Sequence, residues 1–137
     1  MAFNKNILTF SFTSAAVTVM IGAFGAHYLK TKVAEGILTT DNLQSFETGV
    51  RYQMYHTLSL ILIVLLSEKL NERFSKIACR LFIIGIILFS GSVYLLSTQA
   101  LTGLSLKWLG PVTPLGGLCF ISGWILLLLA VFKTKPE

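Results

Sequence analysis

Four stretches of this chain are apolar for long enough to cross a lipid bilayer, at about residues 7–29, 50–66, 78–96 and 112–132. A spanning helix needs roughly 20 residues at 1.5 Å of rise each. Backbone polar groups in hydrocarbon must be satisfied without water, which a helix achieves within its own segment. The pattern therefore predicts an all-α polytopic membrane protein: a bundle of four transmembrane helices forming a single membrane domain over residues 1–137. The first, third and fourth stretches hold no interior charge once the boundary residue Arg80 is set aside, whereas the second is short and carries Arg51 and His56 near its start. Residues 40–49 extend that second helix outward, because Thr40 or Asp41 can cap it and Leu43, Phe46, Val50 and Met54 recur at helical spacing. Residues 30–49 are thus expected to form an interfacial connector with a short amphipathic helix before the second span. A competing reading of the N-terminus is a cleaved signal peptide, with Lys5 as its basic region and Ala23-Phe24-Gly25 as a cleavage site. Against it, the first stretch is long and sprinkled with Thr9, Ser11, Thr13, Ser14 and Thr18.

Composition agrees with a membrane setting. The chain is 54% hydrophobic and 12% charged, about half the charge of an average soluble domain, with a mean hydropathy of +0.76. A cytosolic enzyme domain, a disordered tail and a nucleic-acid module are excluded as starting points. The net charge of +5 would suggest a nucleic-acid partner in a soluble protein. Here the basic residues flank the apolar runs, where they orient a membrane protein. With four spans, one face holds Lys5, Lys69, Arg73, Lys76, Arg80, Lys133 and Lys135, and the other only Lys30, Lys32, Arg51 and Lys107. The richer face is expected to be cytoplasmic, and with it both termini. Cys79 and Cys119 fall in opposite leaflets, too far apart for a disulfide, and read as small apolar packing residues.

Polarity within the spans is uneven. The expected cytoplasmic halves read Leu60-Ile61-Leu62-Ile63-Val64-Leu65-Leu66, Leu81-Phe82-Ile83-Ile84 and Ile125-Leu126-Leu127-Leu128-Leu129. The outer halves carry His27, Tyr52, Gln53, His56, Ser90, Tyr94 and Thr113, the candidate polar cluster or binding site. At 100° per residue, Tyr52, Gln53, His56, Thr57 and Ser59 occupy one arc of roughly 160°. Glu47 and Arg51 lie opposite, spaced i, i+4 in the favourable order for an ion pair. His27 and His56 share a leaflet and could meet, as a packing pair, a ligand or proton site, or two axial ligands of a haem b. Two His and two separated Cys do not make a closed zinc site, and no metal or other cofactor is expected. Candidate helix-packing residues are Ser14, Thr18, Gly22 and Ala26, a small-xxx-small ladder, with Gly116 and Gly117 on the fourth span. There is no nucleotide-binding glycine loop, HExxH, GxSxG or CxxCH, and no acidic residue inside any span.

Four strings carry a resemblance: Gly22-Ala23-Phe24-Gly25-Ala26-His27, Thr48-Gly49-Val50-Arg51-Tyr52-Gln53-Met54-Tyr55-His56-Thr57, Phe89-Ser90-Gly91-Ser92-Val93-Tyr94, and Val112-Thr113-Pro114-Leu115-Gly116-Gly117 with Gly123-Trp124 after it. In order and spacing the chain resembles the YgdD/YwdK-type family of small bacterial inner-membrane proteins, over about residues 21–124. The resemblance implies a four-span plasma-membrane protein and brings no assigned activity, substrate or catalytic residue. The resulting expectation is a non-enzymatic membrane component, an assembly or stability partner. It would sit in the lipid bilayer with a second copy or another membrane protein and no nucleic acid. The alternatives are a binding or permeation protein for a small molecule, quinone or proton, and a bis-His haem redox anchor.

Overall fold

A computed structural model describes residues 2–133; Lys135, counted above with the basic face, lies outside them. The described residues are helical nearly throughout. α1 (Ala2–Phe24) runs through a π-helical turn (Gly25–Leu29) into α2 (Lys30–Ala34), making one long rod. α3 (Thr40–Leu65) returns alongside it. α4 (Glu72–Gly85), a second π turn (Ile86–Ser90) and α5 (Gly91–Thr102) form the third rod, and α6 (Val112–Phe132) the fourth. Three helical segments are long and apolar enough to cross a membrane: Phe3–Ala34, Glu72–Thr102 and Lys107–Phe132. α3 has the length, at 26 residues, but Asp41, Glu47 and Arg51 in its first half deny it a comparably apolar window.

The expected connector over 30–49 is corrected. Residues 30–34 prolong the first rod, and no separate amphipathic helix precedes the second: α3 is continuous from Thr40. The cap is Thr39, whose Oγ1 accepts from the Asn42 amide at 3.1 Å while Asn42 Oδ1 accepts from the Thr39 amide at 3.0 Å. That reciprocal box leaves nothing for Thr40 or Asp41 to do. Nothing between 40 and 65 breaks the helix, and Phe46 is buried with Leu29 and Leu38 in a small core that clamps the turn. Gly36, at φ 75°, supplies the left-handed residue that ends α2.

Neighbouring rods run antiparallel. α1 packs on α3, α3 on the third rod, and α4 and its π turn on α6. The last contact is an interlock of aromatic rings and glycines. A Cβ on Gly123 would lie 2.5 Å from the Phe82 ring, one on Gly85 2.5 Å from the Phe120 ring, and one on Gly116 2.4 Å from the Phe89 backbone nitrogen. Ser92 and Thr113 then share a hydrogen bond of 2.6 Å. Each step of three or four residues down one helix is matched by the same step up the other, so one register holds from Phe82–Gly123 to Ser92–Thr113. Asn71 closes the far end: its amide donates to Ala130 O at 3.0 Å and its Nδ2 to Lys133 O at 3.2 Å, while its Oδ1 caps α4. Phe82, Phe120, Ile86, Leu60, Ile63, Cys79 and Ile7 form the main core. Cys79 is buried and Cys119 half-buried, both as free thiols.

Gly116→Ala should lower stability by about 1–3 kcal/mol, because the methyl meets backbone rather than a movable side chain. Gly117→Ala, whose methyl would find its nearest neighbour at 3.9 Å, should change little. Thermal unfolding of the two purified variants in one detergent measures the difference.

Candidate functional site

Gln53 is the fourteenth residue of the 26 in α3, and it joins three rods. Its Nε2 donates to Ser14 Oγ on α1 at 3.3 Å, and its Oε1 accepts from the Tyr94 hydroxyl on α5 at 2.8 Å. Ser14 in turn shares a 2.8 Å hydrogen bond with Thr57. The amide thus uses donor and acceptor at once, and a hydroxyl chain runs on from it. Beside this network Ser90 donates to Gly49 O at 2.9 Å. A Cβ on Gly49 would fall 2.8 Å from the Tyr94 ring, so that glycine is what lets α5 come within reach.

His56 is held separately. Its ring stacks on Phe120 at a centroid distance of 3.5 Å and 9° between planes, with Phe82 edge-on at 5.1 Å. Nε2 lies 3.2 Å from Trp124 Nε1 and Nδ1 lies 2.8 Å from Tyr52 O. An indole nitrogen only donates and a carbonyl only accepts. The partners therefore assign the neutral tautomer with the proton on Nδ1: Trp124 donates to Nε2, and Nδ1 donates to the carbonyl. Both ring nitrogens are engaged. A ligand or a metal would reach one only by displacing Trp124 or breaking the bond to the backbone.

The predicted polar residues do not make one pocket. Gln53 and Tyr94 meet, with Ser14 from the packing ladder; His56 keeps its own aromatic cage; Thr113 pairs with Ser92; Ser90 bonds backbone. Tyr52 is exposed, with its ring stacked on Phe89 at 4.9 Å. His27 is exposed on the π turn, and it neither bonds nor stacks with His56. The physical reason is helical phase: at 100° per residue His27 falls on the side of the rod opposite the buried Thr18. The small-residue ladder ends early for the same reason, because each step of four residues drifts by about 40° around the axis. Ser14 and Thr18 are buried, Gly22 lies 3.4 Å (by a built Cβ) from Val50, but Ala26 is exposed, and Gly25 takes its place against Phe46 at 2.9 Å. The expected Glu47–Arg51 pair does not form either. Arg51 donates to Thr48 Oγ1 at 3.2 Å, a nearer partner on an exposed surface where an ion pair gains little. Gln53 and His56 lie near mid-length of α3, and the remaining polarity extends from there toward the start of α6.

Sequence reasoning missed Trp124, Phe120 and Phe82 as partners of His56, and Ser92 as that of Thr113. A signal existed: Phe82, Gly85 and Phe89 recur at helical spacing, as do Gly116, Phe120 and Gly123. Among the described residues, no fully buried side-chain nitrogen or oxygen lacks a hydrogen-bond partner. Gln53→Leu should cost about 1–3 kcal/mol by stranding the Tyr94 hydroxyl. A double-mutant cycle with Tyr94→Phe should give a coupling near 0.6 kcal/mol, the average for hydrogen bonds between membrane helices, read from unfolding in detergent.

Comparison with known proteins gives the chain its setting. Residues 21–117 match the family described as protein of unknown function DUF423. The chain is 43% identical over 121 residues to the UPF0382 membrane protein YwdK of Bacillus subtilis, covering 88% of this chain and 90% of that protein. A UPF0382 membrane protein of Staphylococcus haemolyticus is 42% identical over 85% of this chain and 87% of its own length. One of Haemophilus influenzae is 38% identical over 93% and 94%. No solved structure matches the chain.

Proposed function

The chain belongs to the DUF423 family, whose similar members are UPF0382 membrane proteins, and from that premise we propose that it is a non-enzymatic, multi-pass component of the bacterial inner membrane. In this reading it forms a single domain of four spans with both termini cytoplasmic, and serves as an assembly or stability partner to a second copy or another membrane protein. One observation carries it: the buried polar groups are spent within the protein, on one another and on backbone carbonyls. His56 has both nitrogens engaged, Gln53 both ends of its amide, and no fully buried side-chain polar atom is left over among the described residues. A permeation path or a quinone site would need donors or acceptors held open toward a cavity, and a haem would need the Nε2 that Trp124 occupies.

α3 as the second span is supported by its length of about 39 Å at 1.5 Å per residue and by its position between the first and third rods. Its charged residues, Asp41, Glu47 and Arg51, all lie in the first half, within reach of one interface. Trp108, exposed in the turn before α6, suits the aromatic belt at that same interface. The charge asymmetry supports the orientation.

Topology is tested by cysteine labelling in intact cells, on a background with Cys79 and Cys119 replaced. Lys107→Cys should react with an impermeant maleimide from outside and Lys76→Cys only after lysis; labelling from one side alone would reject four spans. The packing role is tested with His56→Ala, which should lower the unfolding midpoint by the equivalent of about 1–3 kcal/mol for a stranded Trp124 donor. Loss of a measured flux or of a bound chromophore, with stability kept, would instead reject it.

A further inference from the structure

Along α3, Glu47, Arg51, Tyr55, Leu58, Leu62 and Leu65 stay exposed. They follow one another at steps of three or four residues and fall within an arc of about 80° at 100° per residue. That is the spacing of a helix that packs along its length on a second helix. The three leucines suit hydrocarbon as well as protein. The polar half of the stripe does not. Among the described residues the Glu47 carboxylate and the Tyr55 hydroxyl have no hydrogen-bond or ion-pair partner, and Arg51 reaches only Thr48 Oγ1, at 3.2 Å. Glu47 and Arg51 also line a notch of about 250 Å³ between α3 and α1, with Gly22, Ala26 and Val50. Gly22 and Ala26 precede Lys30 by eight and four residues, about 12 and 6 Å of helix. The notch therefore opens on the membrane side of the boundary that Lys30 and Lys32 mark, where acyl chains offer a carboxylate and a guanidinium no partner.

A second copy of the same stripe supplies both partners. Copies in one membrane share an orientation, so a two-fold axis along the membrane normal sets their α3 helices parallel, and each contact occurs twice. Glu47 of one copy then meets Arg51 of the other across a four-residue stagger, about 6 Å of rise, and Arg51 meets Glu47 in return. Charged pairs of similar stagger flank the seams of parallel coiled coils. The pair gains little within one chain, on an open surface; a helix laid against the stripe removes that surface from water and headgroups. Gly22 and Ala26 leave space beside the charges for the close approach this needs. We infer that the exposed stripe of α3 is a homodimer interface, held by Glu47 and Arg51 of each copy paired to Arg51 and Glu47 of the other. The inference deepens the assembly reading, naming a second copy as the partner, and rests on α3 spanning the membrane.

The experiment is oxidative cross-linking of the full chain in native membranes, on a background with Cys79 and Cys119 replaced. Leu58→Cys should give a disulfide-linked dimer, whereas Leu95→Cys, as exposed but on another rod, should not. Glu47→Arg or Arg51→Glu, each added to Leu58→Cys, sets like charges face to face and should reduce the dimer about tenfold. Carried on separate copies and expressed together, the two variants should cross-link to each other as well as the unsubstituted stripe does, a rescue that misfolding cannot produce. No dimer from Leu58→Cys, an equal yield from Leu95→Cys, or single reversals without effect would overturn the interface. So would a mixed pair that fails to link while each variant keeps the parent's unfolding midpoint. A Leu58→Cys product with a different protein would overturn the second copy as occupant and leave the assembly reading standing. Labelling of Leu58→Cys by an impermeant maleimide in intact or lysed cells would overturn the span, and the interface with it.

Discussion

The interlock of Phe82, Gly85 and Phe89 with Gly123, Phe120 and Gly116 is the contact on which the other features depend. In lipid, burying apolar surface between helices gains little, because the tails are as apolar as the side chains. Association has to come from dispersion at close range, which falls away within an ångström of gap. Three glycines provide that range. Their missing Cβ atoms leave notches that two rings and a stretch of backbone fill, with built Cβ positions 2.4–2.5 Å from the occupying atoms. The register so fixed carries Ser92 to Thr113 at one end and Asn71 to the last turn of α6 at the other. It also presents the face of Phe120 to α3, where His56 lies on it.

Polar residues take their places within that frame. Each buried hydroxyl, amide and imidazole in hydrocarbon needs a partner, and the cost of missing one exceeds the gain of making one. Ser14, Gln53, Thr57 and Tyr94 solve this by linking three rods, and His56 by linking α3 to α6. Such networks add specificity to packing that apolar contact alone leaves loose. The same economy leaves the apolar groove that Leu62, Leu66 and Leu128 line between α3 and α6 without a free donor: Ser59 bonds Tyr55 O and the Trp124 indole bonds His56.

Much of this was legible in the sequence, and each failure has a physical cause. Helicity, membrane setting and the family followed from long apolar runs and four motif strings. Gly116 was recognisable as a packing residue, and the Tyr52–Ser59 arc pointed the right way for Gln53, His56 and Thr57. The π turns were not legible: nothing in Gly25–Leu29 or Ile86–Ser90 distinguishes them from α-helix by composition. The expected meeting of two histidines failed on helical phase, since at 100° per residue His27 lies opposite the buried Thr18. The Glu47–Arg51 pair failed for a different reason, since helical spacing permits a pair but does not choose it over Thr48.

The sequence by itself determined what this protein is made of: apolar helices, the basic ends that flank them, and a short list of polar residues that hydrocarbon forbids to stand alone. Those follow from length and hydropathy, which act residue by residue. Which polar groups meet was decided only by the tertiary structure, because partnership depends on rotation about each helix axis and on the distance between axes. Packing against the neighbouring rods fixes the first, and one absent Cβ changes the second.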